Sequence, residues 1–216
     1  MISFDRERSG QRRSKQIFMV RLAALGLLAS QFYTHLVCFG PWGLLFYLTN
    51  WTMELTVVFV VGSIVCSQLP SDKCRGWLAV THLAFTACLF LHFVVMLVYW
   101  GMIHKKAIGD FDGLGRVHMY TVHIVPAIAF AMNWAATDVV LFQGHRVGLT
   151  ALSVLYCALN CYETLKTGKP LYWFLTWQDI WSPLICAMII GCVNLVHGAF
   201  VQVSALVKPQ MNIKTV

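Results

Sequence analysis

The polar residues Thr49, Asn50 and Glu54 interrupt the second long apolar segment of this 216-residue chain. A threonine hydroxyl becomes a nucleophile when a neighbouring base removes its proton, and neutral histidine is the usual base near neutral pH. A strongly polar group inside a membrane-spanning segment is costly, so each one is a functional hypothesis by default. The first question is therefore which histidine can approach Thr49.

Depth in the apolar segments brings several polar groups to one level. Thr49 and Asn50 lie roughly a turn and a half into the second segment from its outer end, and His123 lies at a similar depth in the fourth. Other polar groups fall near the same outer level: His35, His118, Asn160 and Glu163. We therefore predict that the candidate site lies in the half of the helix bundle nearer the outer leaflet.

A histidine base also needs a group that fixes its imidazole tautomer, and the candidates for this role are Asn133, Asn160 and Glu163. A Thr49–His123 pair facing a gap between helices could then attack the carbonyl of a lipid ester dissolved in the bilayer. Acyl transfer to the threonine, followed by attack of water, would complete a hydrolysis. These residue types therefore favour a membrane lipid hydrolase.

Each of these residues also has a purely structural interpretation. A threonine in a membrane helix commonly donates to the carbonyl one turn earlier, here that of Leu45, and such hydroxyls often join helices. His123 would then be a helix–helix hydrogen-bonding residue. Glu54, which shares a helix face with Asn50, would pair with a histidine. Both interpretations stay open at the level of sequence.

Eight histidines raise the question of haem or another metal. His118 and His123 are five residues apart, so they point around the helix and do not serve one iron from one face. A pair from two helices, such as His35 and His123, stays open as an alternative. Most of the eight cysteines fall in or beside apolar segments, and the chain has no C-x-x-C motif, so we predict neither a cofactor nor a metal.

Composition places the chain in a membrane. Hydrophobic residues make up 58% of it and charged residues only 12%, and the mean hydropathy is +0.67. The net charge of +7 comes from Lys and Arg in short connections and at the ends. This pattern is typical of topology and head-group charges rather than of nucleic-acid binding. The predicted partners are accordingly membrane lipids, with no nucleic acid.

A bilayer core takes about 20 apolar residues per helix, and this rule predicts six spans. They cover residues 16–38, 44–66, 77–99, 119–141, 147–163 and 183–207. Eleven Lys and Arg residues fall on the side of the N-terminus and five on the other, which predicts that both termini are cytoplasmic. The predicted fold is an all-α polytopic membrane protein with a basic tail at 1–15, a six-helix transmembrane domain at 16–207 and a short tail at 208–216.

The connection between the fifth and sixth spans carries Trp173, Trp177 and Trp181 at four-residue spacing. On a helix these three rings would form one stripe, and tryptophan favours the head-group region. The spacing predicts a short helix lying in the outer interface. Its role is either an aromatic anchor or a platform for lipid entry.

Several segments resemble a known family. Residues 47–55, Y-L-T-N-W-T-M-E-L, are similar to the second-helix signature of the androgen-induced-gene family of multipass membrane proteins. Residues 118–126, H-M-Y-T-V-H-I-V-P, are similar to its histidine-rich fourth helix. Residues 148–151 and 167–175 are similar to the start of its fifth helix and the loop that follows. The resemblance covers most of the chain beyond the first span.

The resemblance implies a threonine hydrolase that cleaves fatty-acid esters of hydroxy fatty acids, with Thr49 as nucleophile and a fourth-helix histidine as base. An alignment on the fourth-helix proline places His118 opposite a neighbouring histidine and Thr121 at the catalytic position. An alignment on the downstream polar residue, Asn133, selects His123 instead. We take His123 as the base.

The alternative is a non-catalytic membrane protein of the same fold, acting as a lipid-binding or accessory subunit of a larger membrane complex. It is motivated by Asn133, which stands where the family often has an acid, and by the short loops. The expected location of the enzyme is the endoplasmic reticulum or the plasma membrane. An accessory subunit would instead fit the mitochondrial inner membrane.

Overall fold

The computed structural model describes residues 11–70, 73–136, 139 and 141–207. Within these ranges the chain is helical, and it has no strand. The tail predicted at 208–216 lies outside the described residues, as do the first ten residues of the basic tail. The chain forms two compact units, one within residues 2–139 and one within 140–216.

The described part of the first unit contains seven α-helices, which are α1 (Gln11–Phe39), α2 (Gly43–Phe46), α3 (Leu48–Gln68), α4 (Arg75–Val98), α5 (His104–Ala107), α6 (Gly113–Thr121) and α7 (Val125–Ala135). A π-helical turn, Tyr99–Ile103, continues α4, and a 3-10 turn, Ile108–Asp110, continues α5. The described part of the second unit contains α8 (His145–Thr167) and α9 (Trp181–Val207).

Four helical stretches of the described chain are long and apolar enough to cross a membrane. They are Lys15–Phe39, Leu48–Gln68, Arg75–Asp110 and Trp181–Val203. Large apolar side chains on their surfaces, among them Phe93 and Leu195, are exposed, as expected of helices that face lipid. The all-helical fold predicted from the sequence is confirmed for the described residues, and the four apolar stretches agree with a multipass membrane protein.

Helices α3 and α4 pack along most of their length. Gly62 of α3 allows the close approach, because a methyl group there would collide with Thr81 of α4. Phe59, Phe85 and Phe130 form an aromatic core to which α7 contributes, with ring centroids between 5.4 and 5.7 Å apart. This core fixes α3, α4 and α7 relative to one another.

The span predicted at 119–141 is interrupted in the structure. Helices α6 and α7 are separated by a turn at residues 122–124. The cause is Pro126 at the start of α7. Proline lacks an N–H, and its ring would collide with the carbonyl one turn earlier, that of Val122. His123 therefore lies at a helix break rather than inside a continuous helix.

Helix α8 extends beyond the fifth predicted span, 147–163, at both ends. It ends at Gly168, whose positive φ of 68° caps the helix. The connection that follows, 169–180, holds no helix. The predicted interfacial helix through Trp173 and Trp177 is therefore wrong, because the left-handed backbone of Trp177, at φ 58°, breaks the helical spacing.

Candidate active site

Thr49 lies in the first turn of α3. The short helix α2 ends at Phe46, Tyr47 is extended (φ −96°, ψ 130°), and α3 begins at Leu48. The threonine is therefore nearer to a helix end than the sequence predicts. The N–H groups of a first helical turn point out of the helix, and the helix dipole favours negative charge there. A negative charge that develops beside Thr49 would be stabilised.

The Thr49 hydroxyl is not held by the backbone. Its structural interpretation requires a bond to the Leu45 carbonyl; that oxygen accepts the indole N–H of Trp51 at 2.8 Å, and no bond to it from Thr49 is found among the described residues. Thr52 and Thr56, in contrast, donate to the carbonyls one turn earlier, at 2.6 and 2.7 Å. Thr49 is half-buried, and its side chain makes no hydrogen bond with any described residue. The back-bonding interpretation of Thr49 is therefore wrong.

Residues 43–50 form a bend that we call the α2–α3 corner, and Asn50 and His35 shape it. Asn50 Nδ2 donates to the carbonyl oxygen of Gly43 at 2.8 Å and so ties the start of α3 to α2. A Cβ at Gly43 would lie 2.8 Å from His35 Nε2 of α1. His35 is only 4% exposed, and its Nε2 has no hydrogen-bond partner among the described residues. A buried imidazole nitrogen therefore faces the corner that carries Thr49.

His118 of α6 packs beside His35. The two imidazole centroids are 5.4 Å apart, and His118 Nδ1 lies 2.8 Å from the Thr34 hydroxyl oxygen. Thr121 donates to Gln31 Oε1 at 2.9 Å. Two side-chain hydrogen bonds thus fix α6 against α1.

His123 is held in one tautomer. Its Nδ1 is 2.7 Å from the Met119 carbonyl oxygen, which can only accept, so Nδ1 carries the proton and Nε2 is the basic nitrogen. The ring lies flat on Tyr99, with centroids 3.3 Å apart and 6° between the planes. The Tyr99 hydroxyl is 3.2 Å from His104 Nδ1. His123 has the tautomer of a base, but no hydrogen bond joins it to Thr49 among the described residues.

The group that fixes the His123 tautomer is thus a backbone carbonyl. Asn133, a sequence candidate for this role, is fully buried elsewhere: its Oδ1 accepts Arg21 Nε–H at 3.1 Å, and its Nδ2 donates to the Ser63 hydroxyl at 3.0 Å. It belongs to a polar network among α1, α3 and α7. Glu54 is half-buried on α3 and makes no hydrogen bond or ion pair with a described residue.

Asn160 and Glu163 lie in the second unit, on α8. Asn160 Oδ1 accepts the indole N–H of Trp177 at 2.7 Å. Glu163 Oε2 is 3.9 Å from Lys166 Nζ, one turn further along the same helix. Their observed partners therefore lie on α8 and in the connection that follows it.

The sequence argument missed two Thr–His pairs in hydrogen-bond contact, Thr34–His118 described above and a second pair between α3 and α4. Thr56 Oγ1 of α3 is 2.9 Å from His92 Nε2 of α4 and 3.6 Å from Cys88 Sγ. Thr56 is 0% exposed, and its hydroxyl also donates to the Thr52 carbonyl at 2.7 Å, so the pair is engaged in helix packing. Both members of the pair lie near the middle of consecutive predicted spans. Such spans usually pack as antiparallel neighbours, and this is the signal that could have found the pair.

No group of three or more His, Cys, Asp or Glu side chains in the described part of the chain could hold a metal ion. The groups at the α2–α3 corner are instead a hydroxyl, imidazoles and an amide, which suit acyl transfer and proton transfer.

Comparisons with protein-family models, with curated proteins and with solved structures each find no match to this chain.

Proposed function

We propose that the protein is an integral-membrane hydrolase of lipid esters with Thr49 as its nucleophile. The observation that carries the proposal is the half-buried Thr49 hydroxyl, which forms no hydrogen bond with a described residue and lies in the first turn of α3. The neighbouring corner faces the buried His35 nitrogen. The resemblance to the androgen-induced-gene family supports the same threonine and suggests fatty-acid esters as the substrate class.

The proposal includes six spans, with both termini on the cytoplasmic side. Helix α8 has 23 residues, and at about 1.5 Å per residue it is long enough for the bilayer core. Helices α6 and α7 together cover a similar length, residues 113–135. Irregular backbone at membrane depth is tolerated only where protein buries it or where it lines a cavity. The proposal therefore requires that the turn at residues 122–124 is buried by protein or lines a cavity at the site. The proposed location is the endoplasmic reticulum or the plasma membrane.

In the proposed reaction the Thr49 hydroxyl oxygen attacks the ester carbonyl carbon while a histidine takes its proton. The oxyanion forms near the N-terminal end of α3, where the helix dipole stabilises it. Collapse of the tetrahedral intermediate breaks the bond to the alkoxy oxygen, and the histidine returns the proton to the leaving alcohol. Water, deprotonated by the same histidine, then releases the fatty acid and regenerates the threonine.

His123 is the base in this proposal, because the resemblance selects it and because its tautomer leaves Nε2 unprotonated. His35 is the competing residue, since it packs against the α2–α3 corner. His123→Asn and His35→Asn separate the two roles in a turnover assay. The variant that removes the base should lose kcat while KM for the ester changes little.

An alkyl fluorophosphonate probe tests the nucleophile directly. In protein purified in mild detergent, the probe should label Thr49, and labelling should survive replacement of the cysteines but not Thr49→Ala. Thr52→Ala is the matched control, because Thr52 lies on the same helix with its hydroxyl bonded to the Leu48 carbonyl. A folded sample that neither reacts with the probe nor hydrolyses long-chain esters would overturn the proposal.

A second candidate function is a non-catalytic lipid-binding or accessory subunit of a larger membrane complex, including one of the mitochondrial inner membrane. The lack of a hydrogen bond between Thr49 and His123 among the described residues favours it. Native gels after mild solubilisation distinguish the two functions. Migration with a large assembly and no ester turnover would support the subunit, whereas turnover by the isolated chain would support the enzyme.

A further inference from the structure

The second unit carries buried polar atoms that the proposed hydrolysis does not use. Asn160, Glu163 and Thr164 lie within little more than one turn of α8, and we call them the α8 polar cluster. Asn160 is 1% exposed and Thr164 is 3% exposed. Three of their side-chain atoms are buried without a hydrogen-bond partner in the described chain: Asn160 Nδ2, Glu163 Oε2 and Thr164 Oγ1.

Ordinary helix packing does not explain these atoms. Elsewhere on α8, Ser153 donates to the Leu149 carbonyl at 2.9 Å, and Thr150 donates to Asn194 Oδ1 of α9 at 3.1 Å. Thr164 makes neither kind of bond within the described residues. A buried donor or acceptor that stays unpaired costs free energy, so a ligand that pairs with it gains affinity.

Trp177 forms one side of the cluster and sets its geometry. Its indole N–H donates to Asn160 Oδ1 at 2.7 Å, and its backbone N–H donates to Ser182 Oγ at 2.8 Å. Its φ of 58° is rare for a large side chain, and such strain persists where surrounding contacts hold it, typically at functional sites. Because the indole occupies Oδ1, the Asn160 amide is oriented and Nδ2 is the atom that can bind a ligand.

We propose that the α8 polar cluster binds the adjacent hydroxyl groups of a neutral glycerol head group, as in a monoacylglycerol. Asn160 Nδ2 only donates and the Glu163 carboxylate only accepts, so a group that pairs with both must accept and donate, as a hydroxyl does. Thr164 does both and pairs with the second hydroxyl. Side chains four residues apart on a helix are about 5–6 Å apart at Cβ, a distance that two adjacent hydroxyls bridge.

The charge of the cluster selects against anionic head groups. The Glu163 carboxylate repels a phosphate or a fatty-acid carboxylate. Lys166 offsets this repulsion only weakly, because its Nζ is 3.9 Å away and its side chain is 59% exposed. The site does not depend on whether Thr49 reacts.

Binding of 1-oleoylglycerol to the full chain in detergent tests the proposal, with oleate and methyl oleate as chain-matched ligands. We expect 1-oleoylglycerol alone to raise the thermal unfolding midpoint. Thr164→Val should raise the midpoint without ligand, because it removes an unpaired buried hydroxyl, and should weaken 1-oleoylglycerol binding by about tenfold or more. Thr150→Val is the matched control: it should lower the midpoint, because Thr150 is bonded, and leave the affinity unchanged.

Glu163→Gln is a second variant that keeps the test decisive if Thr164→Val does not fold. It should admit oleate, because the repelling charge is gone, while it still binds 1-oleoylglycerol. The proposal is overturned if methyl oleate binds as tightly as 1-oleoylglycerol, or if Thr164→Val binds with unchanged affinity. It is also overturned if only water occupies the cluster, in which case Thr164→Val stabilises the protein but no ligand raises the midpoint.

Discussion

Two threonines on α3, Thr49 and Thr56, are seven residues apart and differ in every property that matters for catalysis. Thr56 has a histidine in contact, with His92 Nε2 at 2.9 Å, but it is 0% exposed. Thr49 is half-buried, and its hydroxyl makes no hydrogen bond with a described residue. A Thr–His contact inside a helix pair is therefore a packing device, whereas access and an uncommitted hydroxyl are what a nucleophile needs.

The difference has a local cause. Thr56 lies in the interior of α3, where the carbonyl of Thr52 is available as an acceptor at 2.7 Å. At Thr49 the equivalent acceptor belongs to Leu45, which lies before the helix break and is bonded to Trp51. The bend at Tyr47 thus leaves the Thr49 hydroxyl without a hydrogen bond to the backbone, whereas Thr52 and Thr56 each donate to the carbonyl one turn earlier.

Alanine substitution should give the largest difference between the two threonines, in ester turnover and in stability. Thr49→Ala should reduce ester turnover by about a thousandfold or more and leave the unfolding midpoint nearly unchanged. Thr56→Ala should instead destabilise the protein by about 1–3 kcal/mol, because His92 loses its partner in a buried interface, with turnover per folded molecule retained. Turnover and thermal unfolding of both variants, measured side by side, check this. Equal loss of turnover in the two variants would contradict the assignment of catalysis to Thr49 and of packing to Thr56.

Substitution at Gly43 tests the corner without touching the nucleophile. In Gly43→Ala the new Cβ would lie 2.8 Å from His35 Nε2, so the imidazole or the corner must shift. We expect turnover to fall by about ten- to a hundredfold, since small displacements at a site are costly. Gly26→Ala on α1 is the control, because nothing lies within 4 Å of its Cβ. Normal turnover in Gly43→Ala would show that the geometry of the α2–α3 corner is not needed for hydrolysis.

The smallest effect is expected at Tyr99. Tyr99→Phe keeps the ring stacked on His123 and loses only the bond to His104 Nδ1, so stability should fall by roughly 1 kcal/mol or less. Tyr99→Leu removes the stacking as well and should cost about another 0.5–1.5 kcal/mol. If His123 is the base, only the leucine variant should lower kcat. A matching loss in both would mean that the hydroxyl, rather than the ring, positions the histidine.

Much of the fold could be predicted because it depends on local sequence. Hydropathy and helix length are properties of consecutive residues, so the apolar stretches and the helical class emerge from reading along the chain. Pro126 is also a local signal of a helix break, although we predicted one uninterrupted span at 119–141. The depth argument is a coarser tool: it groups His35 with His118 correctly, and these two rings pack 5.4 Å apart. The four-residue spacing of the tryptophans predicted a helix through Trp177, but the backbone of Trp177 is left-handed and not helical.

The amino-acid sequence by itself determined that the protein is helical and apolar, and which residue types could do chemistry. Only the tertiary structure decided which of these residues are already engaged in hydrogen bonds. Asn133 is bonded to Arg21 of α1 and Ser63 of α3 and so does not orient His123, and His118 of α6 lies 2.8 Å from the Thr34 hydroxyl of α1. The physical reason is competition for hydrogen-bond partners: each carbonyl, hydroxyl or imidazole pairs with whatever packing brings within about 3 Å, and packing joins residues that are far apart in the chain.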